Sequence, residues 1–294
     1  MSPAPGPAAP TIAETLADLR ARLRDAGIED PATDARLLLA EALGCDAGGL
    51  ILRSGNAVEP PALGRLRAMV ARRIEGEPVH RIFGRRAFYD HDFALSAETL
   101  EPRADTETLV ELCRQPIEAV LAARGACLIA DVGTGTGAIA VSLLALYAEA
   151  EAIAIDLSPG ALVTARRNAL AAGVAPRFHA VAGDYLSAIG APVDIVVSNP
   201  PYIRSGDIAG LAREVREFDP HLALDGGPDG LDAYRALACQ SAERLRRPGH
   251  ALVEIGQGQA SDVCEIFSAA GLVLAASRDD LAGIPRALWF QTGK

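Results

Sequence analysis

Apolar residues recur at helical spacing in the first quarter of the chain and in short runs through much of the rest. Ile12, Leu16, Leu19 and Leu23 stand three or four residues apart and stop at Gly27, with Thr11 and Glu14 at capping-box spacing at their head. Asp30 followed by Pro31 starts a second helix, with an apolar face at Leu37 to Leu39 and an end at Gly44. Leu63, Leu66, Val70 and Ile74 predict a third over about 61–75, closed by Gly76. Three short amphipathic helices with brief connections predict a helical bundle over residues 11–77, behind a flexible, proline-rich lead-in at 1–10. Phe83, Phe88, Tyr89 and Phe93 around Asp90-His91 then predict a β-hairpin, which forms a linker over 78–98.

From residue 99 to 294 the pattern alternates. Apolar runs at 127–130, 152–155, 177–181, 194–197 and 251–255 predict strands separated by helical stretches, and 272–276 and 287–291 predict two closing strands. Such alternation means parallel strands with right-handed crossovers, a doubly wound α/β sheet. Ligands of these sheets bind beyond the carboxyl ends of the strands.

Composition narrows the functions. Of 294 residues, 50% are hydrophobic and 22% charged, an ordinary globular balance. A formal charge of −10 argues against stable nucleic-acid binding, which needs excess Lys and Arg to neutralise phosphates. The seven arginines between Arg65 and Arg86 read as a solvated helix face, or as a docking surface for an acidic patch or RNA. Five scattered cysteines without a C-x-x-C pair read as buried thiols in a reducing compartment rather than a metal site or disulfide framework. No apolar run reaches the roughly 18 residues of a membrane span. The first ten residues lack the basic start and apolar core of a signal peptide. A cytoplasmic location and no metal are expected.

The candidate chemistry lies at strand ends. Asp131-Val-Gly133-Thr134-Gly135-Thr136-Gly137-Ala138 follows the first strand and opens a helix. Its alternate glycines let the backbone approach a ligand without Cβ interference. Asp156 ends the second strand, 19 residues after Gly137, where a carboxylate accepts from both hydroxyls of a ribose. Gly133, Gly135 and Ala138 also satisfy the dinucleotide pattern G-x-G-x-x-A, so a nicotinamide dehydrogenase is a rival. Two details favour S-adenosylmethionine. Asp131 is placed to meet a methionine ammonium, which a dinucleotide lacks, and Gly183-Asp184-Tyr185 offers a polar and an aromatic side chain to adenine.

Ser198-Asn199-Pro200-Pro201-Tyr202 leaves the strand over 194–197 as a stiff corner, because each proline fixes its own φ and restrains the residue before it. A planar amide nitrogen is a weak nucleophile. Its lone pair must be aimed at the electrophile, and two acceptors holding the two N–H bonds impose that aim. The Asn199 side-chain oxygen and the Pro200 carbonyl fit this task, and Tyr202 can stack on the planar group. No His, Cys or Ser constellation for another chemistry is visible.

Over nearly its whole length the chain resembles the release factor glutamine methyltransferases, the PrmC/HemK family. The segments that carry the likeness are Glu101-Pro102-Arg103-Ala104-Asp105-Thr106-Glu107, DVGTGTGAIA, AIDLSPGALVTARRNA, GDYLS, VSNPPYI, Leu222 to Leu231, and Asp280 to Arg286. The resemblance implies a class I S-adenosylmethionine-dependent methyltransferase domain, Rossmann-like with a mostly parallel seven-stranded sheet. It also implies a small N-terminal helical domain that recognises the partner. The partners would be peptide chain release factors, with no membrane. The target would be the side-chain amide N5 of the glutamine in their Gly-Gly-Gln loop, which acts in translation termination. S-adenosyl-L-homocysteine would be the product. By position, Gly133 to Gly137, Asp156, Tyr185 and Asn199 would contact the cofactor, and Asn199 to Tyr202 the glutamine. Many relatives carry tryptophan where Tyr185 stands and a second proline where Ala104 stands. A glutamine methyltransferase of a ribosomal protein is the nearest alternative. An adenine-N6 nucleic-acid methyltransferase would want a basic groove that this acidic chain lacks, and a non-catalytic adaptor has no positive feature.

Overall fold

In the computed structural model, which describes residues 9–280 and 282–293, Thr11 closes its capping box with Glu14 and starts α1 (Ile12–Asp25). Most of the lead-in expected at 1–10 therefore lies outside the described residues. The chain divides into two units, one ending at Phe83 and one beginning at Gly84.

The first unit packs α1 with α2 (Pro31–Leu43), α3 (Ala47–Leu52), α4 (Pro60–Ile74) and α5 (Val79–Phe83) around Leu19, Leu23, Leu38, Leu39 and Val70. Asp30 caps α2 through Thr33 N, and Gly44 ends it in the left-handed conformation. Two helices go beyond the expected three. Asp46 caps α3 by accepting from Gly49 N at 2.7 Å. In α5, Val79 and Ile82 stand one helical turn apart and are buried in the bundle core, so the stretch expected as a hairpin over 78–98 begins as a helix. The arginines of 65–86 are not a uniformly solvated face: Arg73 is buried and pairs with Asp34 at 2.6 Å, and Arg72 pairs with Glu77 at 2.6 Å.

The second unit opens with the hairpin itself, β1 (Arg85–Phe88) and β2 (His91–Ala94), whose Phe88 and Phe93 are buried. Then come α6 (Glu107–Arg124), β3 (Cys127–Val132), α7 (Ala138–Leu146), β4 (Ala150–Asp156), α8 (Pro159–Ala171), β5 (Phe178–Ala182) and β6 (Val193–Ser198). They are followed by α9 (Arg213–Phe218), α10 (Asp232–Arg244), β7 (Leu245–Glu254), α11 (Ala260–Ala269), β8 (Leu272–Asp279) and β9 (Pro285–Thr292). Among the described residues one seven-stranded sheet forms in the order β5-β4-β3-β6-β7-β9-β8, with β9 alone running against the other six. All seven expected strands are present, with ends displaced by up to six residues.

Central strands read as unbroken apolar runs because helices cover both faces. Successive side chains of β6 alternate between them: Ile195 and Val197 join the cluster with Ile117 and Leu144, while Val196 joins that with Tyr234 and Phe267. Strand order reverses between β3 and β6, and the register pairs Ile155, Val132 and Ser198 across three strands. The next residues, Asp156, Gly133 and Asn199, thus leave neighbouring strand ends at one level. Asn168 on α8 ties this rim to the hairpin exit: its Oδ1 accepts from Ala94 N at 2.9 Å, and its Nδ2 donates to Ala94 O at 3.1 Å and Thr136 O at 2.8 Å. Among the described residues no helix is long and apolar enough to cross a membrane.

Candidate active site

A cavity of about 480 Å³ lies beyond these strand ends, the size of a small-molecule pocket. Of the residues singled out in the sequence, Gly133, Thr134, Gly135, Thr136, Asp156, Asp184, Tyr185, Asn199, Pro200 and Pro201 line it. Asp131, Gly137 and Tyr202 do not.

Gly133 and Gly135 have φ of 70° and 56°, and a Cβ added at either would meet nothing within 4 Å. The backbone there is open to the cavity in a conformation that side chains resist. The loop is braced from both sides. Asp156 accepts from Gly135 N at 2.8 Å with one oxygen and from Ser158 N at 2.9 Å with the other, which leaves two of its four lone-pair sites for a ligand. Gly137 turns the chain into α7, and its hydrogen faces Ala165, whose Cβ would stand 3.2 Å from a Cβ at this position. It lets α7 pack closely on α8.

Asp131 lies below the cavity wall instead of in it. It is wholly buried beneath the loop, where Oδ2 accepts from Thr134 Oγ1 at 2.6 Å and from Ala140 N at 3.2 Å. Burial pushes its pKa up to about 6 against the lowering pull of those two bonds. Oδ2 thus supports the loop from below, while Oδ1 is buried without a hydrogen-bond partner. Because an unfolded chain releases this proton near pH 4, the wild type loses stability as pH rises from about 4 through 6. Asp131→Asn, which keeps an acceptor and removes the charge, is expected to raise the urea midpoint at pH 8. The gain should be about 1–3 kcal/mol, and it should close as pH falls toward 4.

Tyr185 holds φ of 48°, a strained value for a residue with a Cβ. Its neighbour anchors it, since Leu186 N donates to Gln240 Oε1 at 2.7 Å. Such strain persists where surrounding structure over-determines it and is common at ligand sites.

On the other side of the cavity, Ser198 Oγ donates to Val132 O at 2.7 Å, locking β6 to β3 at the point where Asn199 leaves. Asn199 Nδ2 donates to Thr106 Oγ1 at 3.1 Å, so the amide nitrogen is committed and Oδ1 is the free end. Tyr202 departs from its expected stacking role. Its ring lies against Gly256 and packs on the apolar cluster with Tyr234, and burial pushes its hydroxyl pKa up. An aromatic side chain gains more by this burial than by standing over an open cavity. Gln259 fixes the region: Nε2 donates to Tyr202 O at 3.0 Å and Gly230 O at 3.2 Å, and Oε1 accepts from Gly256 N at 2.9 Å.

The fold also brings here several residues to which spacing and motif chemistry assign no role. Thr106, Leu100 to Arg103 and Glu98 form one wall. Glu98 accepts from Ser158 Oγ and from Gly160 N at 3.2 Å. Pro220 to Ala223 and Asp225 form part of the mouth, and their segment runs along the acceptor corner: Ile203 N donates to Leu224 O at 3.1 Å and Gly226 N to Ile203 O at 2.8 Å. The only sequence signal here is the family likeness of 101–107 and 222–231, which leaves Glu98, Leu100, Pro220 and His221 unmarked. Five carboxylates (Glu98, Glu101, Asp156, Asp184, Asp225) line the cavity against one arginine, Arg103. That balance favours a cationic ligand over a pyrophosphate.

Comparison with known proteins agrees with this geometry. Residues 14–84 match the family model described as PrmC N-terminal domain, and residues 116–218 that described as Methyltransferase small domain. The fold is also that of the hMettl16 catalytic domain, solved in complex with MAT2A 3′UTR hairpin 6. The TM-score is 0.54 at 16% identity, over 82% of this chain and 86% of that one. The release factor glutamine methyltransferase of Agrobacterium fabrum is 42% identical over 96% of this chain and 97% of its own length. That of Bradyrhizobium diazoefficiens is 48% identical, over 92% of this chain and 91% of its own. At that likeness, end to end through both loops of the cavity, the chain belongs to the release factor glutamine methyltransferase family.

Proposed function

We propose that this protein transfers a methyl group from S-adenosylmethionine to the side-chain amide nitrogen of the glutamine in the Gly-Gly-Gln loop of a peptide chain release factor. The cavity supports this cofactor. Glycine backbone open to a ligand, a ribose-competent Asp156, the Tyr185 ring and an excess of carboxylates suit a nucleoside that carries positive sulfur and ammonium groups. It supplies, when bound, an electrophilic methyl and leaves as S-adenosylhomocysteine.

The chain's own task is to present the nitrogen. The observation that carries the reading is the commitment of Asn199 Nδ2 to Thr106, which leaves Oδ1 to accept from one amide N–H. Pro200 lines the same cavity and offers the second acceptor, its carbonyl, from a residue with no N–H of its own. Held by both hydrogens, the amide turns its lone pair toward the methyl carbon, and the two acceptors stabilise positive charge as it develops. As the N–C bond forms the S–C bond breaks. The alkylated nitrogen then sheds a proton to water, so no dedicated base is needed.

Incubation with isotopically labelled cofactor and purified release factor tests the proposal. Label is expected on the Gly-Gly-Gln protein and not on a Gly-Gly-Glu variant. Equal labelling of the two would remove the glutamine assignment.

A further inference from the structure

A stiff corner serves only where it is held in place, because a misplacement of about 1 Å at a reacting group costs on the order of a hundredfold in rate. The Asn199 end is held by β6, through the bond from Ser198 Oγ to Val132 O. Past Pro200 the chain has left the sheet, and another element must hold it. We propose that the glycine segment 226–230 is a backstop that fixes where the Pro200 carbonyl stands, with Gly226 as its positioning residue. The inference rests on the glutamine-methylation reading above, in which that carbonyl is the second acceptor.

The segment runs beside the exit of the corner. Ile203 bridges Asp225 in parallel, donating to Leu224 O at 3.1 Å and accepting from Gly226 N at 2.8 Å. Ser205 N continues the pairing to Gly227 O at 2.9 Å. Gly226 is thereby laid against the corner itself. A Cβ added there would stand 2.8 Å from Pro201 O and 2.9 Å from Tyr202 Cα, and one added at Gly230 would stand 2.5 Å from Tyr202 O. Side chains do not fit at such separations, so backbone lies directly on backbone.

The contact is held on both sides. Gln259 Nε2 draws Tyr202 O and Gly230 O together at 3.0 and 3.2 Å. Gly226 O accepts from Asp232 N at 3.1 Å, at the head of α10, and Gly227 N donates to Asp225 Oδ1 at 2.9 Å. A group inserted between the two backbones therefore displaces the corner as well as the segment. Pro200 and Pro201 fix their own φ, so a push on Pro201 O passes to Pro200 instead of being absorbed in those torsions. Gly226 is buried and lies outside the cavity wall. A methyl group there reaches the substrate only by way of the corner.

Gly226→Ala is the smallest such push. At saturating cofactor and release factor its kcat is expected to fall about tenfold. The KM for release factor and the calorimetric affinity for S-adenosylhomocysteine should stay within about twofold of wild type. Gln259→Glu works on the same contact from the other side: it keeps the acceptor for Gly256 N and leaves at most one donor where two stand. Its kcat should fall in the same way, and it carries the test if Gly226→Ala does not fold. Wild-type kcat in either folded variant overturns the backstop. So does a kcat that falls only in step with S-adenosylhomocysteine binding, the mark of a loosened fold. A raised KM at unchanged kcat also overturns it and makes the segment a docking surface. Asn199→Ala in the same assay separates the two failures. A wild-type rate there sinks the acceptor reading itself, whereas an inactive Asn199→Ala beside a fully active Gly226→Ala sinks only the backstop.

Discussion

Asn199→Ala is expected to lower methyl transfer about a thousandfold, roughly 4 kcal/mol of lost transition-state stabilisation, the upper range for removing one preorganised polar group. Two effects combine. The amide nitrogen of the substrate loses one of the two acceptors that aim its lone pair, and the developing positive charge loses a dipole directed at it. The Thr106 hydroxyl loses only the donor it received from Asn199. The backbone corner stays stiff because Pro200 and Pro201 are untouched. Affinity for S-adenosylhomocysteine should therefore stay within about tenfold, or ~1.4 kcal/mol. Single-turnover rates with saturating release factor, set beside calorimetric binding, make the comparison. Loss of binding and rate in equal measure would reassign Asn199 from the reacting nitrogen to the cofactor.

Asp156→Ala is expected to do the reverse and act first on the cofactor. Its carboxylate is part of the loop as well as the site, since Gly135 N and Ser158 N both rest on it. The substitution removes the ribose acceptors and frees the glycine turn that frames the cavity. Hydrogen bonds to a charged group are worth about 1.5–3 kcal/mol each. Because Asp156 is half-buried, the low end of that range is appropriate. A fall in affinity of about 3 kcal/mol, or roughly a hundredfold, is the expected calorimetric result. Asp156→Asn keeps one acceptor oxygen and should fall between. Affinity unchanged in Asp156→Ala would move the ribose away from this strand end.

The sheet was legible because its strands are buried on both faces, so 194–197 and 251–255 appear as plain apolar runs. The caps were legible for the same local reason: Thr11 with Glu14 and Asp30 with Pro31 act within one turn. The helix α3 was not. Its sequence AGGLIL holds two glycines, and Ile51 and Leu52 are 75% and 88% exposed, so no apolar stripe marks it. A single side-chain cap from Asp46 decides it. At the site, the identity of the loops was readable but the facing of side chains was not. Asp131 turns beneath its loop although burial penalises its charge, and Tyr202 turns into the core, facings that spacing does not express. Thr106 is 93 residues from Asn199, and only the packing of α6 against the sheet brings them together.

Gln259 grips a carbonyl of the acceptor corner, a carbonyl of the 222–231 segment and the backbone amide just past β7 with one side-chain amide. Three pieces of chain from different parts of the sequence are thus pinned to a single hub. Grafting Ser198 to Tyr202 alone onto another methyltransferase would carry the letters of the motif without its alignment. A transplant that works has to bring the glutamine and both of its distant anchor points as well.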